Sequence, residues 1–220
     1  MRVLIAILAA AAALLVPGAA QAASLAPLGP CYRSLDADTR ETVPVWGQDF
    51  TPGERVNVYI DGRLVQEGIT VLPDGQVRGE VQAPYQPRGE RGFVLSLVQI
   101  GNQANTATAT SRVTALALRL KPQRAAPSRR VRFIGRGFID GPEVFAHYVR
   151  KGKHRKTVSL GAPKGPCGRI SVMRRQIPVK RPALGRWTLQ VDNQPTYSRE
   201  PASPFVRLFI TVRRVARLGG

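Results

Sequence analysis

Apolar residues recur at every second position over short stretches of the chain: Val56, Val58 and Ile60; Phe93, Leu95 and Leu97; Trp187, Leu189 and Val191; Val206, Leu208, Ile210 and Val212. A period of two belongs to strands that bury one face and wet the other. Turn signals such as Asp74-Gly75, Gly152 and Gly165-Pro166 separate the stretches, and no sustained helical period appears. Short alternating strands with turns about every 8 to 12 residues describe a β-sandwich.

The pattern is written twice. Val45, Gly47, Phe50, Gly53 and Val56 recur 88 positions later as Phe133, Gly135, Phe138, Gly141 and Val144. Further on, Phe93, Leu95 and Leu97 recur 94 positions later as Trp187, Leu189 and Val191, so the second copy is longer by six residues, placed near 150–156. Self-similarity at a fixed offset marks a repeated structural unit. The expectation is an all-β fold of two tandem immunoglobulin-like β-sandwich domains, 23–111 and 112–217, with a short tail at 218–220. The junction 112–127 reads either as an extended linker or as a strand crossover. Trp46 and Trp187, both flanked by apolar alternation, are expected as the large core residue of each sandwich.

The motif Gly-x-x-Phe-(Thr/Ile)-x-Gly after a strand, here Gly47 to Gly53 and Gly135 to Gly141, resembles the bacterial Ig-like domains of exported and cell-surface proteins. The whole chain is similar to two-domain secreted proteins with an arginine-rich second half and a Gly-Arg-Trp-Thr-Leu-Gln-Val strand, here Gly185 to Val191. The resemblance implies a fold and carries no functional residues across.

The N-terminus reads as an address. Arg2 precedes an apolar run from Val3 to Val16, and Ala20-Gln21-Ala22 supplies small residues around a cleavage point. That is the layout of a secretory leader, expected at 1–22. The apolar run is shorter than the roughly 20 residues a spanning helix needs, and the mature chain is expected to be secreted or held at the cell envelope with no membrane span. In such a compartment Cys31 and Cys167 are a possible disulfide. A bridge requires their Cα atoms to come within about 7 Å across two domains; free or intermolecular thiols remain the alternative.

Charge divides the two copies. Residues 23–111 hold seven Lys and Arg against ten Asp and Glu, a net of −3, whereas 112–220 hold 25 against four, a net of +21. A domain this basic concentrates polyanions, so the expected partner is an anionic wall or extracellular polymer. The anion-binding candidates are Arg150, Lys151, Lys153, Arg155 and Lys156, expected as a hairpin tip around Gly152, with Arg174, Arg175, Lys180 and Arg181. Arg129, Arg130 and Arg132 add to the field. The plainer alternative is that these side chains only solvate the surface. Aromatics make up 6% of the chain, too few for a stacking platform, and no groove-reading helix is in prospect, so specific nucleic-acid reading is not expected.

Catalytic signals are sparse. The two histidines, His147 and His154, stand apart from any motif; His147 shares a strand face with Phe145 and Val149 and is expected as a core or interface residue. No Gly-x-Ser-x-Gly, His-Glu-x-x-His or Cys-x-x-Cys pattern occurs, so no enzyme, cofactor or metal is expected. Gly135-Arg136-Gly137 with Gly141 is spaced wrongly for a dinucleotide fingerprint, and Asp36, Asp38 and Glu41 read as a solvated loop. The functional expectation is a non-enzymatic structural or adhesion-type surface protein. Two alternatives stay open: a hydrolase or transpeptidase using Cys167 beside Lys164 and Arg169, and a protein-binding module of a surface assembly.

Overall fold

The computed structural model describes residues 22–213, so the expected leader, apart from Ala22, and the expected tail 218–220 lie outside the described residues. All regular structure within them is β. The first half contains β1 (Ser24–Leu25), β2 (Tyr32–Ser34), β3 (Thr42–Gln48), β4 (Arg55–Ile60), β5 (Arg63–Thr70), β6 (Val77–Gln82), β7 (Glu90–Gln99) and β8 (Asn102–Ala115). The second contains β9 (Ala117–Lys121), β10 (Arg130–Arg136), β11 (Val144–Arg150), β12 (Lys153–Gly161), β13 (Ile170–Arg175), β14 (Gly185–Asp192) and β15 (Val206–Val212).

Each half is a two-sheet sandwich. Sheet β1-β3-β6 packs on β2-β8-β7-β4-β5, and sheet β9-β10-β13 packs on β12-β11-β14-β15. Pairings are antiparallel except that of β2 with β8. Inward-pointing residues of alternating strands fill two separate cores. One runs from Tyr32 to Val113 and includes Val45, Phe50, Val56, Phe93, Leu95 and Leu97. The other runs from Leu118 to Val212 and includes Phe133, Phe138, Val144, Trp187, Leu189 and Val191. The apolar residues of the repeat are thus paired core positions of the two units.

The glycine in Gly-x-x-Phe has a steric cause. A Cβ on Gly47 would lie 2.8 Å from the Phe50 ring, and one on Gly135 would lie 2.7 Å from the Phe138 ring. In both copies the phenylalanine folds back over a strand residue that must lack a side chain. The backbone then repeats as well: Phe50 N–H donates to Gly75 O at 3.1 Å, and Phe138 N–H to Gly168 O at 3.3 Å.

Trp187 is buried at 2% exposure, but Trp46 is 48% exposed, which corrects the expectation of a second core tryptophan. Val43, Val45 and Gly47 of β3 point inward, so Trp46 points outward, where Arg78 stacks on its indole.

Only Leu116 separates β8 from β9, so the junction is a strand crossover without a free linker. Three contacts clasp the units there. Cys31 and Cys167 form a disulfide with Cα atoms 5.2 Å apart. Buried Arg33 donates through Nε to Glu41 Oε1 at 2.6 Å and through Nη1 to Asp140 of the second sandwich. Glu90 receives both Arg112, at 2.9 Å, and Arg169, at 2.8 Å. Burial works against the charge on Arg33, yet its hydrogen bond to Asp140 and the field of Glu41 more than offset this and hold its pKa above the ordinary arginine value.

Candidate functional site

The nine basic candidates divide among three locations. β11 and β12 are joined by Lys151-Gly152, with φ of 49° and 73°, a two-residue turn with positive φ at both positions. Arg150 pairs with Lys153 at its base. Lys180 and Arg181 belong to the β13–β14 connection, which is tied to the hairpin by Arg150 Nη2 donating to Leu184 O at 2.8 Å. These five sit at the end of the second sandwich opposite the clasp.

Arg155 and Lys156 do not belong to the tip: they lie on β12, an outer strand of its sheet. The two-residue turn closes at Gly152, and an outer strand accommodates charged side chains that also discourage pairing with other chains. Arg174 and Arg175 point to opposite sides of β13. Arg174 reaches across to Ser159 O at 3.2 Å, whereas Arg175 faces outward opposite Arg130. The nine residues therefore do not share one face.

A different face carries cations and no carboxylate. On β9, Leu118 and Leu120 are buried and Arg119 and Lys121 are exposed; on β10, Val131, Phe133 and Gly135 are buried and Arg130, Arg132, Ile134 and Arg136 point out. Register places Arg130 beside Arg175, Arg132 between Lys121 and Met173, Ile134 between Arg119 and Ser171, and Arg136 beside Ala117. Six cations thus stand on the outer side of one sheet.

Among the described residues none of the six forms an ion pair. The four carboxylates of the second copy lie elsewhere: Asp140 on Arg33, Glu143 on the Ser159 hydroxyl, Asp192 beside His147, and Glu200 in the β14–β15 connection. Arg119, Lys121 and Arg136 were outside the sequence candidates. Their signal was legible, since Ala-Leu-Arg-Leu-Lys and Arg-Val-Arg-Phe-Ile-Gly-Arg alternate apolar with basic residues.

The second cluster is buried and polar. Thr157, His147, Gln190 and Arg207 are successive cross-strand partners over β12, β11, β14 and β15, and they occupy the outer side of that sheet under the connection 193–205. His147 and Asp192 have no solvent exposure. His147 Nε2 faces two acceptors, Asp192 Oδ1 at 3.1 Å and Gln194 O at 3.0 Å, so Nε2 carries the hydrogen. Nδ1 meets Thr157 Oγ1 at 2.9 Å, and the same hydroxyl meets His154 Nε2 at 2.9 Å. With one hydrogen to give, Thr157 donates to one ring and accepts from the other.

Gln190 Nε2 donates to Asp192 Oδ2 and to Ser198 O, both at 2.9 Å, and Arg207 Nε donates to Gln190 Oε1 at 3.0 Å. Tyr197 stacks on His154 with centroids 5.2 Å apart. Burial pushes the Asp192 carboxyl up, but the bonds from His147, Gln190 and the Gln194 N–H more than offset it and leave the pKa below the usual value. The network's partners lie largely in the 193–205 connection, so its physical effect is to pin that segment to the sheet. His147 is buried under the 193–205 connection, as its strand face implied; Asp192, Thr157 and Gln190 lay outside the sequence candidates, and Tyr197, isolated in the sequence, stacks on His154. A polar Gln190-x-Asp192 opposite the apolar face of β14 was their only sequence signal.

Chemistry has little to work with elsewhere. Cys167 is bonded to Cys31, so the oxidised protein offers no thiolate and the Cys167 enzyme alternative loses its nucleophile. Among the described residues no group of three or more His, Cys, Asp and Glu is arranged to hold a metal. Asp36 accepts from the N–H groups of Asp38 and Thr39, and Glu41 serves Arg33. No helix of the described residues is long and apolar enough to cross a membrane.

No protein-family model and no curated protein matches this chain. Among solved structures it is similar to the fibronectin(III)-like modules of Clostridium thermocellum CbhA, at 11% identity over 90% of this chain and 97% of that one, with a TM-score of 0.28. It is similar to the Yersinia pseudotuberculosis adhesin InvE, at 14% identity over 87% of this chain and 58% of that one, with a TM-score of 0.32. SGBP-B of the Bacteroides ovatus mixed-linkage glucan utilization locus, solved with a mixed-linkage heptasaccharide, is 13% identical over 84% of this chain and 43% of its own, with a TM-score of 0.29. Superposition this loose leaves function to be argued from this chain's own residues.

Proposed function

We propose that this is an exported, non-enzymatic surface protein of structural or adhesion type whose second domain docks on an anionic envelope or extracellular polymer. The supporting observation is the segregation of charge within that domain. Exposed cations stand on its outer β9-β10-β13 face, at the end away from the clasp, on β12 and on the opposite sheet at Arg186 and Arg207, while Asp140, Glu143 and Asp192 are engaged by partners away from the β9-β10-β13 face. Surface chosen only for solubility mixes the two signs. Residues 112–220 carry a net of +21 with four carboxylates among them, and a field of several kT follows. The clasp fits this role, because the disulfide and the Arg33–Asp140 and Arg169–Glu90 pairs tether the basic domain to the rest of the chain.

Titration of the oxidised protein with a phosphate-bearing wall polymer, a sulfated polysaccharide and an oligonucleotide, each over a salt series, tests the reading. Binding that weakens steeply with salt is the expected result. Failure to bind all three at low salt overturns it.

A further inference from the structure

We propose that the outer face of the β9-β10-β13 sheet binds one linear phosphodiester chain laid along β10, reading its backbone alone. The proposal rests on the polyanion-docking reading above and specifies its surface and its ligand. Four successive rows of the sheet each present at least one cation: Arg130 with Arg175, Arg132 with Lys121, Arg119 beside Ile134, and Arg136. Where β10 itself places the neutral Ile134, its neighbour β9 supplies the charge.

The spacing suits one class of polymer. Successive outward positions on a strand are separated by six backbone bonds, which span about 6.6–7.2 Å when extended. A phosphodiester polymer with three carbons between consecutive phosphates also has six bonds per charge, so its extended repeat is about the same length. One phosphate per row follows. Five of the six cations are arginines, whose planar fork pairs two N–H groups with two phosphate oxygens.

The same face lacks what other ligands need. No aromatic side chain stands on it, so bases have nothing to stack on. Its apolar side chains, Ile134 and Met173, are half-buried among the cations, so a lipid surface has little to receive. Polysaccharides carrying one carboxylate per disaccharide space their charges farther apart than the rows.

The experiment compares a twelve-unit abasic deoxyribose-phosphate oligomer with a mixed-sequence single strand of equal length, heparin, and vesicles rich in phosphatidylglycerol. Abasic and ordinary oligomers are expected to bind within about threefold of each other, with a log–log salt slope near −3 for about four phosphates at roughly 0.7 each. The pair Arg119→Gln with Arg136→Gln, which empties two rows, should reduce that slope by about 1.4 and weaken low-salt binding about tenfold or more, whereas Arg130→Gln with Arg132→Gln leaves Arg175 and Lys121 in their rows and should reduce the slope less. Lys151→Gln with Lys153→Gln should change it less than about threefold. The corresponding Arg→Lys pairs, which keep the charge, should retain the slope and so separate lost contacts from lost fold.

Binding to heparin or vesicles without binding to the abasic oligomer overturns the inference while leaving the docking reading intact. So does loss of binding in the hairpin variant with the sheet variants unchanged. Absence of binding to every probe overturns the docking reading itself.

Discussion

The guanidinium of Arg33 in the first sandwich is bonded to the carboxylate of Asp140 in the second, 107 residues away, with only 7% of the arginine side chain exposed. Glu41 holds the other side of the same group. A buried cation between two carboxylates is costly to disturb, because removing it strands both charges. Arg33→Met is expected to destabilise the protein by about 3–5 kcal/mol in chemical denaturation. Arg91→Ala, which breaks the half-exposed pair with Asp61, should cost no more than about 1 kcal/mol. Equal losses in the two variants would remove the special standing of the Arg33 clasp.

The disulfide beside it closes a loop of 136 residues. Replacing Cys31 and Cys167 by serine frees the unfolded chain from that constraint, and about 2–5 kcal/mol of stability should go with it. Thiol titration of the native protein before reduction should find no free cysteine. One reactive thiol per chain would contradict the bridge and reopen Cys167 as a nucleophile.

Elements that depend on local alternation were legible in the sequence, and contacts across distance were not. The strands, the doubled Gly-x-x-Phe unit and buried Trp187 all follow from period two. Trp46 obeys the same rule against its bulk: Val45 and Gly47 point inward, so their neighbour points outward. The basic face of β9 and β10 is written in plain alternation too, at a lower density of charge than the run Arg150 to Lys156. Burial of Asp192 could not be read, because the segment covering it, 193–205, has no periodic pattern. Arg33 with Asp140 was likewise out of reach, since nothing local to either residue names the other.

The repeated glycine makes a steric prediction. A Cβ on Gly135 would meet the Phe138 ring at 2.7 Å and Ile170 at 2.9 Å. Gly135→Ala should therefore cost about 1–3 kcal/mol through overpacking, and the double variant Gly135→Ala with Phe138→Leu should recover part of it. Thermal melts of the three proteins check this. Additive losses would mean that the glycine serves something other than the ring above it.

The last prediction concerns acid. Asp192 has its folded pKa lowered by the bonds from His147, Gln190 and Gln194 that overcome its burial, so the unfolded chain takes up the proton more readily than the native one. Its contribution is therefore full above the ordinary aspartate value of about 3.9 and is lost as pH falls through the lower folded value. Asp192→Asn keeps the size of the side chain but loses that charge and sets an amide N–H₂ against the Gln190 donor. Near neutral pH the variant should be less stable by about 1–3 kcal/mol. The gap to wild type should close as pH drops below about 4, because protonation removes from the wild type what the substitution has already removed. Denaturation curves at pH 7 and across the acid range measure both quantities, and a gap that stays constant with pH would show that Asp192 stabilises the sheet by packing and not by its charge.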